Sequence, residues 1–184
     1  MGRFIALGVA TWFGSGMIPK WGPIPKMPGT WGSIFAIPMC VAALLLASDI
    51  KVGYLTPALN YAFACYVVFM AGIWSVPTAE RSLGAMVDGY GEKVAHDQGQ
   101  IVIDEVVGMM VSCAPLLWVR PGTVWYTFML YAIACGLFRL ADIYKPWPVK
   151  CFDRMGGAFG VMFDDVVAGV YAAVGLSTFN HFLG

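Results

Sequence analysis

Asp104 and Glu105 stand side by side at the head of one apolar run, and Asp164 and Asp165 stand side by side at the head of another, sixty residues later. A fifth acid, Asp142, is bracketed by Arg139 and Lys145 in "FRLADIYKPWP". Unit charges ~4 Å apart repel by roughly 4 kcal/mol at an effective dielectric near 20, so carboxylates gathered in one place need protons or a counter-ion. A divalent cation is the simplest neutraliser. Oxygen donors suit magnesium, calcium or manganese, and with only His96 and His181 in the chain a zinc or copper centre is a poor fit. Magnesium usually takes one or two protein carboxylates and leaves positions for water and phosphate.

Other residues are of the kinds that hold phosphate. "PGTWGS" sets Thr30 and Ser33 among glycines at a helix start, where free N–H groups and the positive end of the dipole attract an anion. Arg139 and Lys145 flank Asp142, with Pro146 and Pro148 stiffening the exit. Gly156, Gly157 and Gly160 precede the second acid pair and would let backbone approach a ligand. Each residue alone has an ordinary explanation. An aspartate, threonine or serine at a helix start is commonly a cap, and a lone arginine or lysine beside a span is commonly a topology anchor. The coincidence of all of them is what needs a common cause.

The elements that must position these groups are membrane helices. Of the 184 residues, 59% are hydrophobic and only 12% charged, about half the charge of a soluble domain. One domain covering 1–184 is the economical reading, and with zero net charge there is no basic field to attract nucleic acid. The start, through Ile18, has an arginine and an apolar stretch but no small-residue cleavage pattern, so it is expected to stay in the mature chain as an interfacial helix. The five cysteines show neither a disulfide framework nor zinc spacing. Apolar runs at 31–47, 54–76, 101–119, 123–140 and 166–183 predict an all-α polytopic membrane bundle with about five spans.

Following the chain through those spans fixes the geography. From Asp104 and Glu105 it crosses to Arg120, turns at Pro121 and Gly122, and returns to Arg139 and Asp142. The segment "IYKPWPVKCFDRMGGAFG" is too polar to cross, so Asp164 and Asp165 start the last span from the same face. The 78–100 connection and "MPGTWGS" fall on that face too. It gathers Lys20, Lys26, Arg81, Lys93, Arg139, Lys145, Lys150 and Arg154, against Lys51 and Arg120 opposite, which makes it cytoplasmic by the positive-inside rule. "IVIDEVVG" and "VMFDDVVAG" also align with each other, as two equivalent helix starts presenting acids to a common centre would.

Taken in order, "MPGTWGS", "IVIDEVVGMM", "FRLADIYKPWPVKCFDR" and "GGAFGVMFDDVVAGVYA" resemble the phosphatidylglycerophosphatase A family. The resemblance implies a magnesium-dependent, all-α enzyme of the bacterial inner membrane that removes the terminal phosphate of phosphatidylglycerophosphate. It implies that Thr30 lies in a glycine-threonine motif, that Asp104 and Glu105 are the acidic pair with Asp97 preceding them, and that Arg139, Asp142 and Lys145 form the central motif, with Asp164 and Asp165 the last. On that footing some subset of Asp104, Glu105, Asp142, Asp164 and Asp165 would hold magnesium and activate water, while Arg139, Lys145 and Thr30 would take the phosphate. The longer "MIPKWGPIPKMPG" departs from the family pattern at the entrance to the site.

Other classes predict different things. A small cation transporter would also collect intramembrane acids, but near the midplane and without the arginine, lysine and glycine-threonine elements. A different metal-dependent lipid phosphatase would share the site and differ in substrate. A scaffold without turnover would tolerate Asp164→Asn, and the spaced aspartates of a CDP-alcohol phosphotransferase are missing.

Overall fold

A computed structural model describes residues 2–16, 28–49, 57–83, 86–87, 93–94, 100–119 and 123–183. His96, Asp97, Lys20, Lys26, Lys51 and Arg120 lie outside these residues. The regular structure among the described residues is helical apart from one antiparallel pairing of two-residue strands, β1 (Met86–Val87) with β2 (Lys93–Val94). Its helices are α1 (Gly2–Ala10), α2 (Pro28–Asp49), α3 (Pro57–Leu83), α4 (Ile103–Cys113), α5 (Val124–Tyr144), α6 (Val149–Asp153) and α7 (Gly157–Leu183).

Four of them, α2, α3, α5 and α7, are long and apolar enough to cross a bilayer. Their outward faces carry large exposed apolar side chains, including Phe63 at 66% and Trp125 at 83% exposure. In water such a surface would be an aggregation patch; against hydrocarbon it is the expected solvent face. Backbone polar groups at this depth must find partners within the protein, and Pro38 in α2 and Pro77 in α3 are tolerated within packed helices.

The stretch expected as the third span takes another form. It is an eleven-residue α4 continued by a 3-10 turn, Ala114–Leu117, and it is buried among its neighbours instead of being bounded by lipid. The sequence supplies the reason. Pro115 has no N–H to give the Val111 carbonyl, which instead accepts from Ala114, so the helix tightens into 3-10 geometry. That switch leaves the Met110 carbonyl without its usual helical donor, and the Tyr61 hydroxyl of α3 donates to it at 2.8 Å.

α1, with nine residues, is too short to cross. It is tied in at both ends: Arg3 Nε donates to Ser82 Oγ at 2.7 Å, and the Val102 N–H donates to the Ala10 carbonyl at 2.9 Å. Trp12 Nε1 donates to the Phe35 carbonyl of α2. At the other end of the bundle Asn60 Nδ2 donates to the Ala47 carbonyl, one of the last-turn acceptors of α2.

Small residues let α4 sit at the centre. A β-carbon on Gly169 would lie 2.5 Å from the Gly108 carbonyl oxygen, and one on Gly108 would lie 2.5 Å from the Phe138 ring and 2.9 Å from the Asp165 carbonyl oxygen. Close backbone approach at small residues is a common way for membrane helices to pack, because lipid tails compete for every purely apolar contact.

Candidate active site

The Gly108–Gly169 contact decides where the acids go. Glu105 lies three residues before Gly108 and Asp165 four before Gly169, so both acid pairs occupy the turn just ahead of the point where α4 and α7 touch. The two similar segments are thus neighbours in space. Carboxylate oxygens of Asp104, Glu105 and Asp165 all lie within 4.8 Å of one another, and Asp165 is 4% exposed.

α5 brings the cations. Arg139 Nη1 lies 2.8 Å from Asp142 Oδ2 and 3.9 Å from Glu105 Oε1. Asp142 sits one turn further along α5 at i+3, so helix spacing alone makes that pair. Lys145 ends α5 in a left-handed conformation, φ 44°, its N–H returning to the Ala141 carbonyl. Its ammonium donates to Asp164 Oδ2 at 3.0 Å and also to Asp153. Burial disfavours the charged ammonium of Lys145, but Asp153 and Asp164 outweigh it and hold the pKa above the usual lysine value. Asp164 Oδ1 also accepts from the Asp165 N–H at 3.0 Å.

The connection carrying Asp153 is a strap across the head of α7. The sequence reading made it a polar loop, whereas the structure places the short α6 within it. Phe152 packs edge-on against Phe163 with centroids 4.7 Å apart, Phe163 stacks on Phe159 at 5.1 Å, and the Tyr171 hydroxyl donates to the Trp147 carbonyl at 2.6 Å. The final helix also begins earlier than expected, at Gly157 instead of near Val166. Asp164 and Asp165 therefore sit two turns inside α7, and Gly160 lies within the helix, where a β-carbon would meet the Met155 carbonyl of the strap.

Together these elements line a cleft of about 410 Å³ that includes Asp104, Glu105, Arg139, Asp142, Lys145, Asp153, Asp164 and Asp165. All five acids singled out in the sequence share it, as do Arg139 and Lys145. They divide into two sets: three acids clustered with one another, and two, Asp142 and Asp164, each engaged by a cation. Thr30 is half-buried on the first turn of α2 and is not among the cleft's lining residues; Pro28 and Gly29 before it are. A β-carbon on Gly29 would lie 2.4 Å from Glu105 Oε1 and 2.8 Å from Arg139 Nη1, so the glycine of that motif lets α2 start directly against the acid cluster and its arginine. Sequence reasoning also missed Asp153, which lies within "FDR" but carries no helix-start signal.

The first turn of α4, the last turn of α5 and the first residues of α2 meet at one end of the helices, where Asp164 and Asp165 join them from two turns inside α7. Acids arranged for a cation and cations arranged for an anion, in a polar cleft at the head of apolar spans, define an integral membrane enzyme of phosphorylated compounds. The comparison with known proteins is specific. Residues 8–180 match the family model described as phosphatidylglycerophosphatase A, and the chain belongs to that family, whose members are phosphoric monoester hydrolases.

Among its relatives, phosphatidylglycerophosphatase A of Haemophilus influenzae is 32% identical over 167 residues, 90% of this chain and 83% of the relative. Phosphatidylglycerophosphatase A of Escherichia coli is 31% identical over 171 residues, 90% of this chain and 77% of the relative. A Bacteroides thetaiotaomicron protein named provisionally as a phosphatidylinositol-3-phosphatase is 33% identical over 171 residues, 93% of this chain and 91% of the relative. No solved structure matches the chain.

Proposed function

We propose that this enzyme hydrolyses phosphatidylglycerophosphate to phosphatidylglycerol and inorganic phosphate at the cytoplasmic face of the bacterial inner membrane, with magnesium held by Asp104, Glu105 and Asp165. The observation that carries the reading is the three-carboxylate cluster beside Arg139 at the head of the spans. Supporting the metal is the donor chemistry. Three oxygen ligands converge, Glu105 Oε2 is buried with no hydrogen-bond partner, and three close carboxylates repel one another without a cation. When bound, the ion supplies Lewis-acid polarisation of the phosphoryl group.

The chain's own groups do the rest. Arg139, held by Asp142 and facing Glu105, neutralises the oxygens of the transferring phosphoryl group as charge builds. Lys145, kept charged by Asp153 and Asp164, provides a second fixed cation. The cleft carboxylates are the acceptors available for the proton of the attacking water. The lipid tails remain among the spans while the headgroup enters the polar end. Thr30 acts, on this reading, through the helix start that it shares with Gly29.

Asp104, Glu105 and Asp142 sit at helix ends and Asp164 is engaged by Lys145, an arrangement that counts against a cation pathway at the midplane. The test is phosphate release by purified protein from phosphatidylglycerophosphate in mixed micelles, with phosphatidylinositol 3-phosphate as a parallel substrate because of the Bacteroides relative's name. EDTA should abolish release and magnesium restore it. Asp104→Asn and Asp165→Asn should each lower kcat by about 10²-fold or more, on the scale of removing one electrostatic catalytic group. Release that survives EDTA and both substitutions would reject the site.

A further inference from the structure

Arg139 and Lys145 are already answered by acids, but the third cation lining the cleft is not. Arg154, at the end of α6, is exposed on the rim and makes no ion pair with any described residue. The wall beside it is open: Gly156 and Gly157 line the cleft, and a β-carbon on either would meet nothing within 4 Å. The cleft therefore has two levels. Asp165 lies deep at 4% exposed, Glu105 and Arg139 are partly buried beside it, and Arg154 stands exposed at the mouth with space next to it.

We propose that Arg154 is a specificity-determining residue that binds the phosphodiester of the lipid while the phosphomonoester sits at the deep acid cluster. This rests on the lipid-phosphatase reading above and adds to it the class of lipid selected: one carrying a diester as well as a terminal monoester. A diester bears a single negative charge on two free oxygens, which suits the planar fork of one guanidinium and not a second metal. An arginine serving only as a topology anchor would not distinguish one phosphate from two.

The experiment compares full-length wild type, Arg154→Gln and Arg154→Lys in mixed micelles at fixed surface concentration. For phosphatidylglycerophosphate, Arg154→Gln should raise KM about 10- to 100-fold with a smaller change in kcat, the scale of one charged hydrogen-bonding partner, and Arg154→Lys should recover part of it. Inhibition by phosphatidylglycerol, which keeps the diester and lacks the monoester, should weaken by a similar factor. Phosphatidic acid, with a monoester only, should lose at least tenfold less kcat/KM than the two-phosphate lipid. An unchanged phosphatidylglycerol inhibition constant, or equal losses on both lipids, overturns the proposal. Wild type inactive on phosphatidylglycerophosphate would instead refute the substrate reading, and the same comparison on phosphatidylinositol 3-phosphate, which also carries both phosphates, then decides Arg154.

Discussion

The Gly108 carbonyl oxygen occupies a point 2.5 Å from where a β-carbon on Gly169 would stand, so α4 and α7 meet backbone to backbone immediately below the two acid pairs. The contact sets the spacing of Glu105 and Asp165, and with it the geometry of the cleft.

Gly169→Ala should therefore force the two helices apart. Its expected cost is about 1–3 kcal/mol of stability, the usual range for overpacking a core, together with a fall in phosphate release. Gly136→Ala in α5, where a β-carbon meets nothing within 4 Å, should stay within about 0.5 kcal/mol. Thermal unfolding in detergent and a phosphate-release assay on both variants check the pair.

Arg139→Lys keeps a positive charge but loses the planar guanidinium whose Nη1 stands between Asp142 and Glu105. Activity should drop about 10²-fold or more, as for loss of a transition-state donor, while the protein remains folded. Steady-state kinetics beside a circular-dichroism melt separates the two effects.

Lys145 sets a pH window. Its pKa is raised on folding, so the stability it contributes is fully present below the unfolded value of about 10.4 and is lost as pH climbs through the higher folded value. The difference in Tm between wild type and Lys145→Met should be constant from neutral pH to about 9 and shrink above about 10.5. A difference that already disappears by pH 8 would mean that the ammonium is not held by Asp153 and Asp164.

Tyr61→Phe removes the hydroxyl that donates to the buried Met110 carbonyl. The expected loss is about 1–2 kcal/mol, with catalysis retained because Tyr61 is not among the cleft's lining residues. Unfolding in detergent measures the first and phosphate release the second.

The sequence by itself determined the membrane class, predicted about five spans of which four are long membrane-crossing helices, and gathered the acids at one end. Those follow from apolar run length and from the fact that each crossing reverses the chain, and both can be counted along a string of residues. The bracketing of Asp142 by Arg139 and Lys145 was legible too, but only Arg139 pairs with it, while Lys145 turns to Asp153 and Asp164. Tertiary structure decided which acids touch one another and which touch cations, because Asp165 meets Glu105 only through the Gly108–Gly169 crossing, a contact between segments far apart in the chain. It also decided that 101–119 is a short buried helix, since run length does not reveal whether an apolar stretch is bounded by lipid or by other helices. That Gly29 lines the cleft beside Thr30's helix start was hidden for the same reason: close approach is a property of the partner as much as of the residue, and Arg139 and Glu105 arrive from other elements.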